Sequence, residues 1–228
     1  TQGYLYKARA LKALGFDSDA LDTLKEALGH VDAIAEIQHE IGLISYEFGD
    51  FDRAKDHLNK AIEEAPEYIT AHRTLNELFF QSNDNNFLAS YTSALKAFPT
   101  SEFLYHNLAA SQTSSGDIES AIQTLETALN RVGKTPNLQH GLGALYVRLK
   151  NYSKAQELFE SALSQQPNNL RFLLDQVSLF LKRSNYDCQH ILDRALKISR
   201  FNQETWAYQG LIWRLTGDER YHWLYDYK

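Results

Sequence analysis

The sequence predicts an all-α protein built as a succession of helical hairpins. Apolar residues fall at helical spacing in paired runs, each pair is broken once by a short polar turn, and small residues recur where two helices must press together. Residues 136–169 show all three. Leu142, Leu145 and Leu149 precede the break at Lys150-Asn151-Tyr152, and Leu158, Phe159 and Leu163 follow it. Gly143 in the first run, with Ala155 and Ala162 in the second, sits where two helices can press together only if neither carries a bulky side chain. Pro167 closes the unit, since proline cannot continue a helix interior.

The pattern repeats along the chain. A marker in each first helix reads Ala8, Gly42, Asn76, Ala109, Gly143, Val177 and Gly210. The alanine before each closing turn gives Ala27, Ala61, Ala94, Ala128, Ala162 and Ala195. A second small series runs Ala20, Ala54, Ala121, Ala155 and Cys188, with a gap near Phe87 to Ala89. Their large partners are Leu24, Leu58, Tyr91, Leu125, Phe159 and Leu192. A hairpin recurring at about 34 residues resembles the tetratricopeptide repeat family over residues 1 to about 217. The resemblance implies a right-handed superhelix, an α-solenoid whose units bury their apolar faces on their neighbours.

Six units cover residues 1–202, and 203–228 hold a seventh first helix with an aromatic cap. Unit one, Thr1 to Ile34, turns at Gly15-Phe16-Asp17-Ser18, where Gly15 suits a left-handed helix end and Asp17 or Ser18 can cap the next helix. Unit two, Ala35 to Tyr68, turns at Gly49-Asp50-Phe51. Unit three, Ile69 to Ser101, has the polar, glycine-free turn Gln81 to Asn86. Unit four, Glu102 to Thr135, is capped by Ser101 and turns at Gly116-Asp117-Ile118. Unit five starts with Thr135 as cap and Pro136 at the first helical position. Its Asn151-Tyr152-Ser153 matches a glycosylation sequon, but a capping Asn in a turn explains it. Unit six, Asn169 to Asn202, also lacks a turn glycine.

The chain begins on Thr1, already at the start of a repeat, and contains no methionine, as expected of a fragment with repeats or other domains on either side. Units three and six are one residue short of the family period. Both facts fit methionines missing from the sequence within 83–91 and 183–192.

Composition narrows the function. No run of about 18 apolar residues and no leader-like amino terminus is present, so no membrane role and a cytoplasmic location are expected. A net charge of -6 argues against nucleic acid as partner. The single cysteine, Cys188, stands where other units carry alanine and reads as a core residue. No nucleophile, base and orienting acid converge in sequence, so neither an enzyme nor a cofactor is expected.

The family resemblance implies that outward positions of the first helices choose a protein or peptide ligand. One longitudinal row reads Leu5, His39, Arg73, His106, His140, Leu174 and Ala207. Neighbouring rows add Tyr46, Glu77, Phe80, Phe103, Asn107, Asn137 and Arg171. This strip is the expected peptide-binding groove, for a segment carrying acidic or carbonyl groups. The carboxylate clamp that some family members use on chaperone tails is not expected, because Glu77 and Gly141 break the set that Arg73 and Asn107 begin. A metal held by His39, His106 and His140 is disfavoured because packed helix axes lie about 8 to 10 Å apart. The tail from Leu215 to Tyr227 is similar to the junction between such repeats and a 2-oxoglutarate and iron(II) dependent oxygenase-like domain. That resemblance implies an alternative: a substrate-recruiting arm whose chemistry lies beyond Lys228, since His222 and Asp226 have no strand-like sequence behind them. Self-association through the array ends is a third expectation.

Overall fold

A computed structural model describes residues 1–30, 32–84 and 86–223, with side-chain surroundings described as far as Tyr221. Among these residues the chain is all-α. The helices are α1 (Gln2–Ala13), α2 (Asp17–Leu28), α3 (Ile34–Glu47), α4 (Phe51–Glu64), α5 (Ile69–Gln81), α6 (Ala89–Ala97) and α7 (Glu102–Ser114). There follow α8 (Ile118–Arg131), α9 (Pro136–Arg148), α10 (Tyr152–Gln165), α11 (Leu170–Lys182), α12 (Gln189–Ile198), α13 (Gln203–Thr216) and the short α14 (Arg220–Trp223). The expected tail from Leu224 to Tyr227 lies outside the described residues, as do the surroundings of His222 and Trp223.

The chain divides into two compact units, 1–121 and 122–228. Within the first, α1 packs on α2, α3 on α4 and α5 on α6, while α3 also touches α5, and α5 touches α7. Within the second, α9 packs on α10 and α11 on α12, with α9 against α11 and α11 against α13. First helices therefore meet the next first helix as well as their own partner, which is how hairpins too small for a private core share one. The alanines before the closing turns are no more than 6% exposed, and their large partners Leu24, Leu58, Tyr91, Leu125, Phe159 and Leu192 no more than 2%. Cys188 is fully buried among them.

Turn chemistry follows the sequence with two departures. Asp50 caps α4 by accepting the Arg53 N–H at 3.2 Å, Thr135 caps α9 at Leu138, and Asn151 caps α10 at Lys154. The Asn151 side chain thus acts within the turn. Neither Asp17, Ser18 nor Ser101 makes a side-chain cap, because Phe16 stands at the N-cap of α2 and the Ser101 hydroxyl makes no bond to α7. Where glycine is missing from the turn after a first helix, Asn83, Lys150 and Ser184 adopt the left-handed conformation with φ between 52° and 58°.

The second helices of units three and six are short and begin only at Ala89 and Gln189. α6 has 9 residues and α12 has 10, against 14 in α4 and α10. Asn76 compensates in unit three. It stands where units two and five carry glycine, and its amide donates to the His72 carbonyl and to Ser90 Oγ while accepting the Leu88 N–H. Polar fastening there replaces the close helix contact found at Gly42 and Gly143.

Candidate functional site

Two kinds of strap set the first helices. The ring or hydroxyl at the fourth helical position reaches back to the preceding closing turn: His72 Nε2 lies 2.9 Å from the Pro66 carbonyl, Tyr105 Oη 3.2 Å from that of Pro99, and Trp206 Nε1 2.8 Å from that of Arg200. A second set joins one first helix to the next. Arg9 donates to Glu40, Lys12 pairs with Glu47, His39 with Thr74 and His140 with Asp175. These bonds fix which side chains remain to face solvent.

The expected strip is accordingly sorted by burial. His39 is 5% exposed, edge-on to Tyr68 at 5.5 Å, with Nε2 3.1 Å from Thr74 Oγ1. The Thr74 hydroxyl spends its proton on the Thr70 carbonyl, so His39 Nε2 is the donor. Burial pushes this imidazole below its ordinary pKa, with Arg9 adding to the effect and Glu40 opposing it. His140 is 9% exposed and lies between Phe159 and Phe172, with ring centroids 5.2 and 4.3 Å away and Asp175 Oδ2 at 2.7 Å from Nε2. Both rings serve packing between helices. His106 is half-buried, 3.9 Å from Glu102. Tyr46 is half-buried against Phe51, and its hydroxyl is pushed up by burial and by Glu77.

The remaining residues of the strip reach solvent or line concavities. In residues 1–121, Arg73, Glu77, Phe80 and Asn107 line one pocket of about 240 Å³ between α5 and α7. Arg73 and Glu77 are exposed; Glu77 accepts from Gln81 at 2.7 Å, and Asn107 donates to the Phe103 carbonyl at 2.8 Å. Phe80 is 47% exposed and tilts on Phe87 at 5.3 Å, whereas Phe103, 72% exposed and one turn before Asn107 on α7, does not line the pocket. Tyr91 joins the pocket wall although its side chain belongs to the core, and burial pushes its hydroxyl up to about 12. In the sequence Tyr91 reads only as a core residue. The available signal was its polar tip, since the equivalent residue elsewhere is Leu or Phe.

In residues 122–228, Asn137 and Arg171 are exposed. Arg171 Nε stands 3.7 Å from Asp175 Oδ2 and shares a concavity of about 490 Å³ with Leu174, Asn202 and Glu204. Among the described residues, no three His, Cys, Asp or Glu side chains converge as metal ligands, and no helix is long and apolar enough to cross a membrane.

Comparison with known proteins settles the family. Two tetratricopeptide repeat family models match residues 35–68 and 100–168, on the hairpins α3–α4 and α7 to α10. This is a tetratricopeptide repeat chain. No curated protein matches it at significant similarity. Among solved structures, the tetratricopeptide repeat chain is similar to yeast Tom70, at a TM-score of 0.69 and 18% identity over 95% of this chain and 47% of that one. It thus spans about half the length of Tom70. A tetratricopeptide repeat protein from Parabacteroides merdae matches at 0.61 with 15% identity, over 96% of this chain and 88% of the other. YrrB, described as having an unusual peptide-binding site, matches at 0.52 with 14% identity over 82% and 97%. At these identities the likeness concerns the fold.

Proposed function

We propose that this tetratricopeptide repeat chain is a protein-interaction scaffold, and that the face of α5 and α7 holds an extended segment of a partner protein. The observation that carries the reading is the pocket in which Arg73, Glu77, Phe80 and Asn107 come together. It combines a guanidinium for a carboxylate or carbonyl, an amide for backbone recognition, and the exposed Phe80 ring for an apolar side chain. The exposed side chains surrounding it sit on helices tied to each other by buried contacts, so binding orders the peptide more than the protein. YrrB, a fold neighbour with a peptide-binding site, supports the class of ligand. The proposed activity is binding, with no cofactor and no catalytic step.

A peptide array scanned with the purified chain tests this. Spots bearing an acidic residue two or three positions from an aromatic or aliphatic one are expected to retain the wild type and to lose the Arg73→Glu variant, whose melting temperature stays the same because the residue is exposed. Equal retention of both proteins on every spot would remove this face from consideration.

A further inference from the structure

The short α6 leaves a second concavity, distinct from the one between α5 and α7. Because α6 starts only at Ala89, a space of about 510 Å³ opens between α4, α5 and α6, within the range of small-molecule sites. Ile62, Leu75, Phe79 and Ala94 give it apolar walls, and no charged side chain lines it among the described residues. His72 also lines it and has no solvent exposure. Its Nε2 faces the Pro66 carbonyl at 2.9 Å; a carbonyl only accepts, so Nε2 carries the ring proton and Nδ1 is left as a bare acceptor. That Nδ1 has no hydrogen-bond partner. Tyr91 stacks on the ring at 5.6 Å and fixes its orientation, and burial holds the imidazole neutral by lowering its pKa. A buried acceptor without a donor is an unmet demand that a ligand can satisfy.

We propose that the cavity between α4, α5 and α6 binds a neutral aromatic bearing one hydrogen-bond donor, a phenol or an indole, with the donor on His72 Nδ1 and the ring between the apolar walls. A carboxylate would meet a second acceptor and no cation, and an ammonium would meet no anion, so charged ligands are excluded. The phenol or indole can come as a free small molecule or as the Tyr or Trp side chain of a partner.

Saturation-transfer NMR and calorimetry on the full chain test the proposal with 4-methylphenol, its donor-free analogue 4-methylanisole, and N-acetyltyrosinamide. The expected result is 4-methylphenol binding at least tenfold more tightly than 4-methylanisole. Ser93→Trp, an exposed position on the rim, should abolish binding while leaving the fold intact, and His72→Phe should erase the preference for the donor. N-acetyltyrosinamide binding as well as 4-methylphenol assigns the site to a protein side chain, whereas tenfold weaker binding assigns it to a free phenol. Equal binding of the phenol and the anisole, no binding of either, or unchanged binding in Ser93→Trp would overturn the proposal. Arg73→Glu should leave phenol binding unchanged, which keeps this test separate from that of the peptide face.

Discussion

Asn76 Oδ1 accepts the backbone N–H of Leu88 at 2.6 Å, and Leu88 holds a left-handed φ of 69° at the start of α6. A leucine in that conformation is costly on its own, by about 1 to 2 kcal/mol. The Asn76 amide, buried and bonded also to Ser90 and the His72 carbonyl, is what keeps it there. Replacing Asn76 with Ala is expected to destabilise the protein by about 1 to 3 kcal/mol, because a part-buried N–H loses its acceptor. Hydrogen exchange should show the Leu88 amide losing protection in the variant. A Leu88 amide that exchanges equally fast in both proteins would mean that α6 is held by packing alone.

Gly143 marks the opposite solution. A Cβ built there would lie 2.6 Å from Phe159 Cε1 and 3.4 Å from the Ala155 carbonyl, and one at Gly42 would lie 2.8 Å from Leu58 Cγ. Gly143→Ala gains up to about 1 kcal/mol of helix propensity but must displace a ring that also stacks on His140. Gly143→Leu adds more bulk to the same gap, and overpacking of this kind costs about 1 to 3 kcal/mol. Chemical denaturation should therefore rank wild type above Ala and Ala above Leu. Gly3, with nothing within 4 Å of its built Cβ, is the control: Gly3→Ala should not destabilise.

Why the hairpins were legible and the strip only partly so follows from the same residues. A small residue opposite a large one is a local requirement repeated in every unit, so Ala27 to Ala195 and Leu24 to Leu192 stand in register in the sequence alone. Whether a first-helix side chain faces solvent depends on its neighbours one repeat away. His39 and His140 share the register of Arg73, yet Thr74 and Asp175, each 35 residues on, draw the imidazoles inward. Arginine at the same place stays exposed because its long stem carries the charge into water. The sequence likewise marks Asn76 as a modest departure in a small-residue series. Its role as a fastener depends on where the shortened α6 begins, and no pattern within the unit specifies that.

Acid should weaken the fold through His72. Burial lowers its folded pKa below the ordinary value, with the Pro66 carbonyl opposing the shift, so as pH falls the unfolded chain takes up this proton first. The contribution is complete above the unfolded pKa of about 6.5 and is lost as pH drops toward the lower folded value, at no more than about 1.4 kcal/mol per pH unit for one group. His39 and His57 are shifted the same way, both by burial first. Wild-type stability should thus fall between pH 7 and pH 5, and His72→Phe should show a shallower decline. Parallel curves for the two proteins would show that His72 does not contribute to the acid sensitivity.

The final prediction concerns whether His140 acts as a ring or as a hydrogen-bonding group. Its imidazole fills the space between Phe159 and Phe172, so His140→Ala leaves a hole lined by two aromatic faces and should cost about 2 to 4 kcal/mol. Phenylalanine refills that space but cannot bond Asp175. The Asp175 side chain is 40% exposed and has Arg171 Nε at 3.7 Å, so water and the guanidinium replace the lost partner. His140→Phe is then expected to stay within about 1 kcal/mol of wild type, the usual scale for one hydrogen bond with a solvent-accessible acceptor. Denaturation of both variants decides between the two roles. If phenylalanine proves as damaging as alanine, the bond to Asp175, which joins α9 to α11, holds these helices in register, and the stacking is secondary.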